Sequence, residues 1–202
     1  MKQIFEIKDK KIIEDMMSKA EYGTLALSSE KTPYSVPVNF VHVENIIYFH
    51  GSLSGRKMKV LKANPKVSFS IVENFSLIAS YFSSSEELAC PATQFFKSIS
   101  IDGDVIIVEE KQEKIKALTL LMQKLQPEGH YKPFNDSAYD KMINATAVLR
   151  IDIKELKAKF KFGQHLDDKR FDMIISNLEN RDTDIDKATI EMMKTQRKID
   201  EV

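Results

Sequence analysis

The sequence predicts an α+β chain, mainly β, built as a small antiparallel barrel with peripheral helices. Three observations carry that expectation. Between residues 24 and 108, short runs rich in Val, Ile, Tyr, Phe and Thr recur, which is the pattern of half-buried strands. Strands of that length and spacing, each with one wet face, close most simply into a barrel. Helical periodicity appears around those runs and after them.

The elements follow in order. Asp9 to Ala20 carries Ile12, Ile13, Met16, Met17 and Ala20 at helical spacing, and Gly23 closes it. Strands are expected over Thr24–Leu27, Tyr34–Val43, Ile46–His50, Val67–Val72 and Phe95–Val108. Pro33 and Pro37 mark the second run as irregular or edge-like. Glu44-Asn45 separates two alternating runs, so a tight hairpin is expected there. Gly103 inside the longest run predicts a bulge or sharp bend. Ser54 to Asn64 reads as a helix with a capping Ser at one end and Pro65 beyond the other. Glu110–Leu125 places Ile115, Leu118, Leu121, Met122 and Leu125 on one stripe, and its first-turn acids suit the helix dipole. Residues 126–134 are a loop and Ser137–Ala145 a short helix. Val148–Ile153 and Lys159–Phe162 are two further strands, and Asp168–Asn180 is another helix. The expected organisation is one domain over residues 1–180 and a charged helical tail over 181–202, anchored through Ile185, Ala188 and Met192.

Composition excludes several classes. Thirty Lys+Arg balance thirty Asp+Glu, which counts against a nucleic-acid partner. The single Cys90 excludes an internal disulfide framework and a Cys-rich zinc site, and a reducing cytoplasm fits it. The N-terminus lacks the apolar core of a signal peptide. No apolar stretch approaches the ~20 residues that cross a bilayer. No dinucleotide fingerprint or P-loop occurs, and no metal site is expected at His42 and His50.

One local signal stands out. In His50-Gly51-Ser52-Leu53-Ser54-Gly55-Arg56-Lys57 a strand ends, a glycine turn follows and a helix begins. Unpaired N–H groups at a helix start suit a phosphate, Arg56 can grip two of its oxygens, and Lys57 adds a point charge. Residues 56–66 hold five basic residues and no acid. The plainer alternative is a capped surface helix with a solvated basic face.

Three stretches carry a resemblance: Tyr34-Ser35-Val36-Pro37-Val38-Asn39-Phe40-Val41, Ile46 to Gly51, and Ser54-Gly55-Arg56-Lys57 running on to Asn64-Pro65-Lys66-Val67. Together they resemble the pyridoxamine 5'-phosphate oxidase-related flavoproteins, and most closely their nitroimidazole-resistance subgroup. Lys97–Gly103, Leu125–Phe134 and Lys159–Gln164 are similar to further segments of that family. The resemblance runs from about residue 10 to residue 180.

That resemblance implies an FMN-binding split β-barrel with peripheral helices, and a homodimer with FMN at the subunit interface. Carried over by position, Arg56 and Lys57 hold the FMN phosphate, while His50, Gly51, Ser52 and Gly55 shape the same turn. Val36, Pro37, Val38 and Asn39 run along the flavin ring, Ser98 faces it, and Gln164 closes the site. No match exists to the oxidase's substrate-phosphate Arg and His, so the resemblance implies a cytoplasmic reductase with a small-molecule electron donor and acceptor, the acceptor of nitroaromatic type. Two rivals share the scaffold: a flavin-sensing regulator, and a heme-binding or heme-degrading protein with His42, His50, His130 and His165 as candidate ligands.

Overall fold

The computed structural model describes residues 2–29 and 32–199. A 3-10 turn over Gln3–Phe5 precedes β1 (Glu6–Ile7), α1 (Lys10–Lys19), β2 (Gly23–Leu27), β3 (Tyr34–Val38), β4 (Phe40–Val43) and β5 (Ile46–Ser52). α2 (Arg56–Ala63), β6 (Lys66–Ile78), β7 (Thr93–Val108) and α3 (Lys111–Leu125) follow. The chain ends with α4 (Asp140–Ala145), β8 (Thr146–Lys161), α5 (Asp168–Arg181) and α6 (Asp184–Ile199). Local chemistry sets several boundaries. The carboxylates of Asp9, Glu110 and Asp167 accept hydrogen bonds from the first N–H groups of α1, α3 and α5.

The strands lie in the order β3-β2-β6-β7-β8-β5-β4, with β1 beside β8. This corrects the expected barrel, and with it the split β-barrel that the resemblance implies. β3 and β4 stand at the two ends of the order, and no ladder joins them. The reason is covalent. The two strands follow one another through the single residue Asn39, so the chain has no turn with which to lay one against the other. Pro37 inside β3 also has no N–H to offer. The fold is α+β, an unclosed sheet with helices at its periphery.

The chain divides into two compact units. The first comprises Met1–Lys8, Val72–Ser98 and Ala158–Val202; the second comprises Asp9–Ile71 and Ile99–Lys157. In the second unit, β2 pairs antiparallel with β3 and β6, and β5 with β4 and β8. Its core includes Met17, Leu25, Phe40, Ile47, Phe49, Phe69 and Leu149. Tyr48, Val108, Ala117 and Val148 pack as one cluster beneath α3. The Glu44-Asn45 hairpin forms as expected, with Val43 opposite Ile46 and Glu44 at φ 54°. Gly23 opens β2 rather than merely ending α1, because a Cβ there would stand 2.2 Å from the Phe69 ring.

The first unit has an aromatic core. Phe75 and Phe95 both pack edge-on against Phe162. α6 docks here through a polar anchor. The Asp186 side chain is fully buried and takes hydrogen bonds from Arg181 Nε (2.8 Å) and Nη2 (2.5 Å), Ser76 Oγ (2.5 Å) and Thr183 Oγ1 (2.6 Å). Arg181 Nη1 also donates to the Leu77 carbonyl. Among the described side chains of α6 the buried positions are Asp186, Thr189, Met193 and Gln196, while the expected anchor Ile185 is exposed. Residues 200–202 of the expected tail lie outside the described residues.

Candidate functional site

β5 delivers His50, Gly51 and Ser52 at its end, opposite Val148, Ala147 and Thr146 of β8. The Ser52 Oγ accepts from the Ser54 N–H at 3.2 Å and tightens the turn. The expected cap on α2 was Ser54, but the capping position is Gly55, at φ 104° and with no side chain to cap the helix. Only glycine adopts that backbone without strain. The first N–H groups of α2 are thus left without a side-chain acceptor, and no acid stands in its first turn.

Lys57 is the unusual cation here. It is half-buried, and its Nζ lies so close over Gly51 that a Cβ there would stand 2.8 Å away. The ammonium also sits 5.3 Å from the centre of the Phe49 ring. Burial holds the Lys57 amine below its ordinary value, and no carboxylate of the described residues contributes to its titration. Partial burial and the Lys57 charge likewise hold His50 below its usual value. A desolvated ammonium without a counter-charge favours an incoming anion.

Arg56 turns elsewhere, since successive helix residues diverge by about 100°. Its guanidinium lies 4.4 Å from the Tyr34 ring centre, and Nη2 donates to Thr32 Oγ1 at 2.9 Å. It borders a cleft of about 980 Å³ lined also by Ser28, Ser29, Thr32, Lys59 and Asn64. That Thr32, Tyr34 and Phe49 orient the two cations was not legible in the sequence. Spacing alone does not reveal which ring a cation will lie on.

Val36, Pro37 and Val38 lie in β3 opposite Leu25, Thr24 and Gly23. The other edge of β3 carries no strand. Asn39 donates through Nδ2 to the Glu21 carbonyl at 3.0 Å. Ser98 and Gln164 belong to the first unit. Both arms of the Gln164 amide are engaged locally: Oε1 accepts from the Phe162 N–H and Nε2 donates to the Phe160 carbonyl, each at 2.8 Å.

The first-turn acids of α3 divide in role. Glu110 caps the helix, as the dipole argument expects. Glu113 instead accepts from Tyr48 Oη (2.9 Å) and Arg150 Nη1 (2.8 Å). Arg150 and Tyr48 hold the Glu113 carboxyl below its ordinary value against the opposing effect of burial. Among the described residues, no three His, Cys, Asp or Glu side chains gather as a metal site. No described helix is long and apolar enough to cross a membrane.

With this geometry in place, the sequence signature described as Pyridoxamine 5'-phosphate oxidase matches residues 9–160. The chain belongs to that family. No curated protein matches it. Solved structures do. A candidate 5-nitroimidazole antibiotic resistance protein from Bacteroides thetaiotaomicron VPI-5482 is 21% identical, with a TM-score of 0.62 over 76% of this chain and 85% of that one. The flavocytochrome Anf3 from Azotobacter vinelandii is 19% identical, with a TM-score of 0.65 over 79% and 70%. The FAD and heme binding protein from Mycobacterium smegmatis is 18% identical, with a TM-score of 0.65 over 78% and 74%. At these identities the likeness shows a shared fold.

Proposed function

We propose that this family member binds FMN and uses it to reduce a small electron acceptor of nitroaromatic type. The observation that carries the reading is Lys57, a half-buried ammonium on which no carboxylate of the described residues acts, beside the uncapped start of α2. That cradle fits a phosphate. Lys57 and the free N–H groups of α2 hold it, and Arg56 reaches it by leaving Thr32. The open edge of β3 at Val36–Val38, with Asn39, offers backbone groups to the flavin ring. By the family resemblance alone Ser98 and Gln164 are counted with the proposed set, and a homodimer completes the assembly. The flavin supplies the redox chemistry when bound, while the protein's part is to bind and orient it.

The test is a titration of the purified chain with FMN and with riboflavin, which lacks the phosphate. A charge-assisted hydrogen bond contributes about 1.5–3 kcal/mol, so FMN is expected to bind at least about tenfold more tightly. Lys57→Gln is expected to remove most of that preference while leaving riboflavin binding unchanged. Equal affinity for the two flavins removes the phosphate reading. Turnover is then read as NAD(P)H oxidation with and without a nitroaromatic acceptor.

A second reading has support from two of the structural neighbours, which are named for heme or as a flavocytochrome. The absorbance spectrum separates the two. A flavin band sustains the first reading, whereas a Soret band on a chain that ignores FMN replaces it with the second.

A further inference from the structure

The first unit contains a cavity of about 230 Å³ where β8 runs out towards α5. Lys161, His165 and Arg170 border it, and among the described residues no carboxylate does. All three lie beyond residue 160, where the family match ends. The remaining lining is largely apolar, with Ile78, Phe95, Leu166 and Ile174. The chain holds this arrangement firmly. Gly163 takes φ 81°, and a Cβ on it would come within 3.2 Å of Phe95. Gln164 ties down the same turn with both arms of its amide. His165 sets its ring edge-on to Phe5 at 5.4 Å, Lys161 donates to Thr93 Oγ1, and Arg170 Nε donates to the Ser83 carbonyl.

Two permanent cations, Lys161 and Arg170, share this partly dry space with the His165 imidazole, and the two charges repel one another. Burial and Lys159 hold the Lys161 amine below its ordinary value. Burial, Lys2, Lys161 and Arg170 do the same to His165. An anion relieves this repulsion, and charge-assisted hydrogen bonds add to the gain. The apolar lining then selects among anions. Phe95 and Ile174 are already packed into the core, and the apolar lining left accessible, Pro91, Ala92 and Leu166, suits a carboxylate on a short hydrocarbon body better than a bare phosphate.

We propose that this cavity is a binding site for a small organic carboxylate, with the carboxylate among Lys161, His165 and Arg170 and the hydrocarbon against Pro91 and Leu166. The proposal does not rest on the flavin-phosphate turn, which belongs to the other unit.

Cys90 supplies a native reporter. It is the only cysteine, it lines the cavity and it is exposed. The experiment follows alkylation of Cys90 by iodoacetamide in the full chain, with benzoate, benzyl alcohol or inorganic phosphate present. Benzoate at millimolar concentration is expected to slow the reaction, and the other two to leave it unchanged. Lys161→Gln and Arg170→Gln are each expected to weaken benzoate about tenfold, the loss of one charged hydrogen bond. Lys161→Arg, which keeps the charge, is expected to retain it. Unfolding midpoints confirm that each variant is folded. No protection by benzoate overturns the proposal. So does equal protection by benzyl alcohol or phosphate, or protection that survives loss of both charges.

Discussion

Replacing Arg181 by Ala is expected to destabilise the chain by about 3 kcal/mol at neutral pH. Asp186 is fully buried, and removing its guanidinium partner leaves a carboxylate in the interior with only hydroxyls and one N–H around it. Breaking a buried pair from one side costs about 3–5 kcal/mol. The low end applies because the Arg181 side chain itself is 35% exposed and partly screened by water. A chain of this size then loses on the order of 6–12 °C in its unfolding midpoint. A shift below about 2 °C would show that Ser76 and Thr183 satisfy Asp186 without the arginine.

The pH dependence follows from the same contacts. Hydrogen bonds from Arg181, then Ser76 and Thr183, hold the Asp186 carboxyl well below the usual carboxylate range in the folded chain, against the opposing effect of burial. A group depressed in this way stabilises the fold above its unfolded value of about 3.9, and that stabilisation is lost as pH falls below it. In the Arg181→Ala chain burial acts on Asp186 with its main opponent gone, so the carboxyl takes up a proton more readily. The gap between the two chains is therefore expected to be widest at neutral pH and to narrow in acid. Denaturant unfolding at a series of pH values measures it.

Asp186 also shows where sequence reasoning stops. Helix α6 was expected from its periodicity, but its anchors were sought among Ile185, Ala188 and Met192. The structure turns the helix so that Asp186 and Thr189 face inward, because Ser76, Arg181 and Thr183 together satisfy them. No apolar count reveals a partner that lies more than a hundred residues away. Helix starts were easier to read, since Asp9 and Glu110 cap through their own neighbours. β8 was expected as two strands, Val148–Ile153 and Lys159–Phe162, with the charged residues Lys154, Glu155 and Lys157 left between them. They are exposed positions on one unbroken strand. The phosphate turn was legible as a strand end, a glycine and two cations. What the spacing did not show is that Arg56 and Lys57 part company, one on Tyr34 and the other on Phe49.

Gly103→Val is expected to cost at least as much as the arginine change, about 3 kcal/mol or more. Gly103, where the sequence suggests a bulge or bend, lies inside β7 (Thr93–Val108). The requirement is space. A Cβ on Gly103 would stand 2.5 Å from the Asp152 carbonyl oxygen and 2.8 Å from Ile151 Cγ2. Both residues are fixed in the β5–β8 ladder, where Asp152 faces Ile46 and Ile151 faces Ile47. Backbone cannot swing aside as a side-chain tip can, so the clash must be relieved by moving β7 or by breaking ladder pairs. Overpacking costs about 1–3 kcal/mol where side chains can yield, and more where they cannot. Gly51→Ala supplies the contrast, because the nearest atom to its new Cβ is the flexible end of Lys57. That variant is expected to stay within about 1 kcal/mol of the parent. Denaturant midpoints for the two variants decide the matter: equal losses would mean that close approach of β8 is not what fixes glycine at 103.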